Sequence, residues 1–415
     1  MHNVGGVDID VNIDCIINPM SWLDAKEATK LLGVNRDTLY AYVSRGYIRS
    51  EAVPGKPREK RYSREDVERL RMRAEERRNP EKAAQHALRW GVPILESSIT
   101  LIADGKLYYR GHDVAQLARE HSIEEVASLV WTGTYDAGIF DTPLHVVSGG
   151  AATHDLPFVN RAQSILPLVA ARDPLAFDLR PRAVAQTGWR IINLLTSVAA
   201  ETRELEPAID QTLAKAWAPR SARAADAIRA ALIVCADHEL NVSAFTARCI
   251  ASAGSNPYAA VLGGLAALEG AKHGGATARI EALFEELRRA RDLRKSLADR
   301  LRRGDRIEGF GHPLYPDGDP RATLLLALLD ERFPKSKELA FAHAFASAGE
   351  RVLGEKPTID FALVALSRVL ALPTGTPLVL FAIGRTIGWI AHAIEQYAQD
   401  AMIRPRARYV GEKPA

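Results

Sequence analysis

Several residues occupy sequence contexts in which they could do acid–base chemistry or bind an anion. His312 lies in segment 309–322, where glycines and prolines on both sides predict a fixed, non-helical backbone that exposes the imidazole. Asp319 and Pro320 predict a helix start, as N-cap and first helical residue. Arg321 then falls in the first turn, where the helix dipole disfavours a cation, which suggests an anion to bind. The alternative is a structural loop with a solvated arginine.

Three further segments carry residues of the same kinds. His238 lies in a polar stretch at a helix start, and His273 precedes Gly274 and Gly275, where a backbone or a ligand can approach closely. Asp360 has apolar neighbours, so desolvation would raise its pKa. Each has a structural alternative: a satisfied histidine, a tight helix crossing at the glycines, or an N-cap carboxylate. The complete set, together with isolated arginines, favours an acid–base site.

The elements around these residues are overwhelmingly helical, so the fold class is mainly α. Apolar residues recur at spacings of three and four, as at Ile191, Leu194 and Leu195. Alternating apolar residues around Asp104 and Gly105 predict a small β-hairpin before the helices, and the stretch 134–180 is predicted to be rich in loops. The predicted helices are 114–133, 181–201, 206–217, 222–236, 239–254, 257–270, 276–302, 320–332, 336–353, 358–371 and 377–400.

The N-terminal region has a different pattern. Two short helical patterns separated by Gly33, the second capped by Asn35, are typical of a helix-turn-helix. A basic hairpin or wing (54–62) and an arginine-rich helix from Ser63 follow, and the region resembles the winged helix-turn-helix of MerR-like and excisionase-like proteins. The alternative is a protein-interaction or dimerisation module whose arginines are merely solvated. The candidate DNA-contacting residues are Arg36, Tyr40, Arg45, Lys60 and Arg61.

Composition restricts the class of protein. The 415 residues, 47% hydrophobic and 25% charged, are typical of a soluble chain with two or more domains. The net charge of +3 is too small to imply a nucleic-acid-coated surface. Cys15, Cys235 and Cys249 form neither a disulfide framework nor a metal-ligand spacing. Without a secretory signal, or the roughly 18–20 apolar residues of a membrane span, we expect a cytoplasmic protein that does not associate with membranes.

From Ser97 to the C-terminus, the order of these segments resembles the citrate synthase family. The resemblance is carried by the hairpin ending at residues 109–113, by the motifs around the three histidines and Asp360, and by segments 384–396 and 403–406. Any one of these matches is moderately specific, whereas several in the same order are highly specific.

The resemblance implies a Claisen condensation of a 2-oxo dicarboxylate, oxaloacetate, with an acyl-CoA. Asp360 would remove a proton from the α-carbon of the thioester, and His273 would act as a neutral donor to the developing enolate oxygen. His312 would polarise the ketone and protonate the new alkoxide, and thioester hydrolysis would release citrate and CoA. No metal or redox cofactor is implied. The residues implied to bind the substrate carboxylates are His238, Arg321, Arg385 and Arg404, the last supplied by the partner subunit of a homodimer.

The domain organisation that follows has four parts: a tail (1–20), a helix-turn-helix domain (21–78), a linker (79–95) and a citrate synthase-like part (96–415). Within the last part, a large domain (96–274 and 371–415) and a small one (about 275–370) would close over the substrates.

Two positions depart from the family pattern. Pro316 stands where members often carry a basic residue that meets CoA phosphates, and Thr277 stands in place of an asparagine. Two alternative functions stay open, because these departures leave the acyl donor unassigned and the arginine-rich helix-turn-helix points to DNA. One is a 2-methylcitrate synthase that uses propionyl-CoA, and the other is a metabolite-sensing DNA-binding regulator built on the same fold.

Overall fold

The computed structural model describes residues 22–53, 56–64, 66–68, 70–71, 95–140, 155–407, 409–412 and 414. The chain divides into two compact units, Met1–Glu96 and Ser97–Ala415.

The first unit contains the helix-turn-helix and the wing. Asp24 caps α1 in a reciprocal capping box with Glu27, and Gly33 ends that helix in the left-handed conformation at φ 65°. Asn35 caps α2, as predicted. The three strands form an antiparallel sheet in the order β1-β3-β2 around a small apolar core that includes Leu39. The elements are β1 (Trp22–Leu23), α1 (Ala25–Leu32), α2 (Arg36–Ser44), β2 (Ser50–Val53) and β3 (Lys56–Ser63).

A short helical segment follows β3 in this unit, at residues 64, 66–68 and 70–71. The prediction of an arginine-rich helix extends beyond it, and Arg69, Arg73, Arg77 and Arg78 lie outside the described residues. The predicted tail and most of the predicted linker lie outside them as well.

The second unit is helical apart from a small sheet in the order β4-β5-β6. Asp104 and Gly105, both with positive φ, form the predicted hairpin turn between β4 and β5. The elements are β4 (Thr100–Ala103), β5 (Lys106–Tyr109), β6 (His112–Asp113), α3 (Val114–Glu120), α4 (Ile123–Thr132), α5 (Phe158–Ala170), α6 (Pro181–Ala200), α7 (Ile209–Trp217), α8 (Ala224–Val234), α9 (Val242–Ser252), α10 (Pro257–Leu268), α11 (Gly275–Leu287), α12 (Leu293–Arg302), α13 (Pro320–Arg332), α14 (Lys337–Leu353), α15 (Ile359–Val369) and α16 (Thr376–Gln399).

Two separate apolar cores stabilise this unit. The larger one joins α3–α10 with α13, α15 and α16. The smaller one is built from apolar residues of α11, α12, α14 and α15 and of the segment 307–310, and its members lie between Ile280 and Ala365. Phe284, Phe345 and Phe361 form its centre, with ring centroids 5.0–5.2 Å apart. The proposed small domain of residues 275–370 thus contains an apolar core of its own.

Three predictions about helices were wrong in detail. The predicted helix 114–133 is interrupted at His121 because Ser122 caps a new helix in a capping box with Glu125. The predicted helix 276–302 is likewise interrupted where Asp292 caps α12. In the stretch predicted to be loop-rich lies α5, which has no side-chain cap and contains Pro167. Local signals for a helix are therefore weak there.

Helix α16 runs through the larger core and positions one of the candidate arginines. Of the helices in the described part of the chain, it alone has the length and apolar character that crossing a membrane would require. Its most apolar window is 94% buried inside the protein, which is the pattern of a core helix.

Candidate functional site

The segments that carry His312 and Asp360 lie side by side. The backbone N–H of Thr358 donates to the carbonyl of Gly309 over 2.9 Å, and the N–H of Gly311 donates to the carbonyl of Lys356 over 3.0 Å. Gly309 and Gly311 both have positive φ, 93° and 74°, a conformation that is easy only for glycine. The glycines flanking Phe310 therefore allow the backbone pairing that brings the two segments together.

Arg321 forms a buried ion pair with Asp319, the N-cap of its own helix. Its Nε and Nη2 lie 2.9 and 2.8 Å from the two carboxylate oxygens, and Arg321 is only 4% exposed. Asp319 also accepts from the N–H of Ile359 over 3.0 Å, which ties α13 to α15. Although burial opposes ionisation of both groups, each partner's charge holds the pKa of Asp319 below and that of Arg321 above its ordinary value. Asp319 therefore occupies one edge of the Arg321 guanidinium, at Nε and Nη2.

Two of the candidate histidines are in contact. The rings of His238 and His312 are edge to face, with centroids 5.1 Å apart. Nε2 of His238 lies 2.9 Å from the hydroxyl of Tyr315, a residue of the same loop as His312. Burial, together with the positive charges of Arg321 and Arg385, lowers the pKa of His238 well below its ordinary value. The imidazole is therefore neutral at physiological pH.

The tautomer of His312 is set by the backbone. The N–H of Leu314 donates to Nδ1 of His312 over 3.2 Å. Burial and the neighbouring Arg321 lower the pKa of His312 to about 4, so the ring is neutral and its proton is on Nε2. The ring is thus arranged as a hydrogen-bond donor through Nε2.

His273 lies at the start of α11, against residues of α9 and α16. Its Nε2 is 3.0 Å from the hydroxyl of Ser243, and its ring packs edge to face on Phe381 with centroids 5.7 Å apart. Burial, followed by the charge of Arg385, lowers the pKa of His273 to about 4. This imidazole is also neutral at physiological pH.

Arg385 is completely buried and only partly satisfied. Its Nε donates to the carbonyl of Cys235 over 2.8 Å, and its guanidinium carbon lies 4.7 Å from the centre of the Phe381 ring. Nη1 and Nη2 are buried without a hydrogen-bond partner among the described residues. Because unsatisfied buried donors are rare and costly, these two N–H groups indicate a binding position for an anion.

Asp360 lies in the first turn of α15, where Thr358 rather than Asp360 is the N-cap residue. Burial raises the pKa of Asp360 from 3.8 to about 6, whereas the charges of Arg321 and Arg385 act in the opposite direction. Both arginines also act on the thiol of Cys235, the pKa of which burial raises to about 12. Asp360, Arg321 and Arg385 thus share one electrostatic environment, and the Cys235 thiol beside them is inert at physiological pH.

The remaining predicted residues lie elsewhere on the chain. Arg404, in the C-terminal segment after α16, is exposed, so the structure does not bring it to the other candidates within one chain. In the first unit, Arg36, Tyr40, Arg45 and Lys60 are exposed on α2, on the turn after it and on β3. Arg61 is partly buried instead, with its Nε 2.6 Å from Glu51 and its guanidinium over the ring of Trp22.

Several residues of the site were missed in the sequence. The role of Asp319 as a partner could have been anticipated, since an N-cap carboxylate two residues before an arginine can reach its guanidinium. Tyr315, Phe381 and Ser243 carry no comparable local signal, because each contacts a histidine from a different part of the chain.

Comparison with known proteins agrees with this geometry. The family model "Citrate synthase, C-terminal domain" matches residues 87–137 and 182–406, and a "Helix-turn-helix domain" model matches residues 22–74. The citrate synthase of Haloferax volcanii is 30% identical over 360 residues, which cover 78% of this chain and 95% of that protein. The 2-methylcitrate synthase 1 of Corynebacterium glutamicum is 29% identical over 339 residues, which cover 74% of this chain and 89% of that protein.

Solved structures agree as well. Citrate synthase from Thermotoga maritima superposes with a TM-score of 0.65 at 27% identity, over 78% of this chain and 95% of that one. The Thermoplasma acidophilum enzyme was solved in a ternary complex with carboxymethyl coenzyme A and oxaloacetate. It superposes with a TM-score of 0.66 at 25% identity, over 78% of this chain and 95% of that one. The resemblance stated from the sequence is confirmed: this chain belongs to the citrate synthase family and carries a helix-turn-helix domain in its N-terminal part.

Proposed function

We propose that the chain is a citrate synthase, which condenses acetyl-CoA with oxaloacetate and hydrolyses the resulting thioester to citrate and CoA. The observation that carries the proposal is the pair of unsatisfied N–H groups of Arg385, buried in the same electrostatic environment as Asp360. A dicarboxylate bound there would satisfy both N–H groups, and a planar guanidinium holds a carboxylate through two parallel hydrogen bonds.

In the proposed reaction, Asp360 is the base. A carboxyl group with a pKa of about 6 is mostly ionised at neutral pH, yet it is more basic than an ordinary aspartate. It would take the proton from the α-carbon of the thioester, and a neutral His273 would donate a hydrogen bond to the enolate oxygen. Because Nε2 of His273 contacts the hydroxyl of Ser243, Nδ1 is the nitrogen that would donate to the enolate. This role requires the hydroxyl of Ser243 to donate to Nε2 rather than to Oδ1 of Asn241, which lies 2.9 Å away.

His312 would act on the second substrate. Its Nε2–H would donate to the ketone oxygen of oxaloacetate, which makes the carbonyl carbon more electrophilic as the enolate attacks. The same proton would neutralise the alkoxide as the carbon–carbon bond forms. His238 and Arg321 would bind the substrate carboxylates beside Arg385, and Arg404 would reach the site from the partner subunit of a homodimer.

The test measures CoA release with oxaloacetate and acetyl-CoA. We expect turnover by the wild type and its loss, by a factor of about 10² to 10⁴, in Asp360→Ala. The matched control is Asp330→Ala, which removes an exposed carboxylate paired with His343. An inactive wild type, or full turnover by Asp360→Ala, would exclude the proposed reaction.

A 2-methylcitrate synthase is a second candidate, because a protein of that name is among the relatives. The two activities differ by one methylene of the acyl group, which a pocket distinguishes by only about 10- to 200-fold. The ratio of kcat/KM for acetyl-CoA and propionyl-CoA decides between them.

The helix-turn-helix domain supports a separate proposal, DNA binding through the exposed residues Arg36, Tyr40, Arg45 and Lys60. Cations that neutralise phosphates give an affinity that falls with salt concentration. We expect the full chain to bind a duplex promoter fragment at low salt, and Arg36→Ala with Arg45→Ala to weaken that binding. Arg182→Ala, an exposed arginine of the other unit, is the control. Equal binding by the double variant and the control would exclude this surface.

A further inference from the structure

Asp237 and His392 form a buried polar pair that the proposed chemistry does not use. Both side chains are completely buried, and Nε2 of His392 lies 3.2 Å from Oδ1 of Asp237, a close contact outside hydrogen-bond geometry. His392 lies on α16, two turns beyond Arg385, and Asp237 immediately precedes His238. The pair therefore joins the two segments that carry two of the proposed substrate-binding side chains.

The β4–β5 hairpin makes a second connection to Asp237. The hydroxyl of Thr100 donates to Oδ2 of Asp237 over 2.6 Å. The hydroxyl of Tyr109 lies 3.1 Å from both the backbone nitrogen and the backbone oxygen of Asp237, accepting from the former and donating to the latter. One residue thus receives contacts from the hairpin, from α16 and, along the chain, from His238.

Close packing and charge link Asp237 to Arg385. The N–H of Gly388 donates to the carbonyl of Ala236 over 2.8 Å, and a side chain at Gly388 would overlap both that carbonyl and the carboxylate of Asp237. Burial lowers the pKa of Arg385, and the carboxylate of Asp237 is the strongest charge that opposes this effect. Asp237 therefore provides the main counter-charge of the guanidinium in the substrate-free protein.

From these contacts we infer that Asp237, hydrogen-bonded by Thr100 and packed against His392, is a positioning residue that fixes Arg385 and His238 relative to each other for binding of the 2-oxo dicarboxylate. This inference rests on the proposed function. The inference concerns the dicarboxylate site alone. A change in this network disturbs binding of the dicarboxylate and leaves the acyl-CoA site and the base Asp360 in place.

The test replaces Thr100 by valine, which has the same shape without the donor. Loss of a hydrogen bond to a buried charged group is worth about tenfold or more in an equilibrium constant. We expect Thr100→Val to raise KM for oxaloacetate by about that factor, with KM for acetyl-CoA unchanged, and Thr100→Ser to restore the wild-type value. The control is Thr246→Val, because the hydroxyl of Thr246 donates to the carbonyl of Val242 within its own helix and, among the described residues, to no other group.

Two further measurements keep the outcome decisive. Calorimetric binding of oxaloacetate to the wild type, without acyl-CoA, shows whether the dicarboxylate site exists, so failure of the proposed function is recognised separately. His392→Asn tests the same network from α16 and replaces Thr100→Val if that variant does not fold. Folded variants of both positions whose KM for oxaloacetate stays within about twofold of wild type would overturn the inference, as would an equal rise of KM for both substrates.

Discussion

Replacing Asp360 by asparagine is expected to make the protein more stable while it abolishes turnover. Burial raises the pKa of this carboxyl from 3.8 to about 6, so the folded protein holds the ionised form less favourably than the unfolded chain does. The difference of about 2.2 pKa units corresponds to about 3 kcal/mol at neutral pH. Asparagine has nearly the same shape and no charge, so it removes this destabilisation.

The pH dependence follows from the direction of the shift. Because the folded-state pKa is raised, the wild type loses stability as pH rises from about 4 to about 6, and the loss is complete above that range. The advantage of Asp360→Asn should therefore be largest at pH 7.5, about half as large at pH 5 and absent below pH 4.

The assay is denaturant unfolding of wild type and Asp360→Asn at pH 7.5 and pH 5, beside turnover measured at pH 7.5. Asp330→Asn is the control, since its carboxylate is exposed and paired with His343, and we expect a change within about 0.5 kcal/mol. Unfolding of Asp360→Asn at lower denaturant than wild type at pH 7.5, or a gain that does not shrink at pH 5, would refute the reasoning. Either result would mean that the ionised carboxylate of Asp360 does not destabilise the folded protein.

Three further outcomes are expected. Arg385→Lys should raise KM for oxaloacetate by about tenfold or more in steady-state kinetics, because an ammonium group cannot replace two parallel N–H donors; an unchanged KM would contradict the proposed carboxylate contact. Gly388→Ala should lower the free energy of unfolding by about 1–3 kcal/mol, because its methyl group would overlap the Ala236 carbonyl; a midpoint at or above that of wild type would show that α16 shifts without cost. Asp210→Asn should raise the unfolding midpoint at neutral pH, because burial, and to a lesser extent the charge of Asp226, raises the pKa of Asp210. The gain in midpoint should disappear in acid, where the carboxyl of the wild type is protonated. A gain that persists in acid would have another origin.

What the sequence could predict depends on how local the physical cause is. The start of α13 at Asp319 and Pro320 and the turn at Asp104 and Gly105 were predicted correctly, because capping and positive φ act within a few residues. The break at Ser122 was missed although its capping box is also local, because the apolar periodicity continues across it.

Other features depend on distant parts of the chain. The hydroxyl of Tyr315 meets His238 across 77 positions, and Arg385 donates to a carbonyl 150 positions away. No propensity or spacing encodes such contacts, because only the packing of α8, α13 and α16 brings them about. The histidines and Asp360 were singled out by their local sequence contexts, and their roles, like the choice of Arg385, came from the family resemblance. Their electrostatic relations became visible only in the fold.

The two imidazoles differ in how vulnerable their proton positions are to mutation. For His312, the proton is directed by a main-chain amide, which every residue type except proline supplies, so substitutions of Leu314 leave it untouched. For His273, the side chain that contacts Nε2 among the described residues is Ser243, whose hydroxyl a single nucleotide change in many serine codons would delete. Substitutions next to His312 therefore preserve its proton position, whereas the proton position of His273 depends on one side-chain hydroxyl.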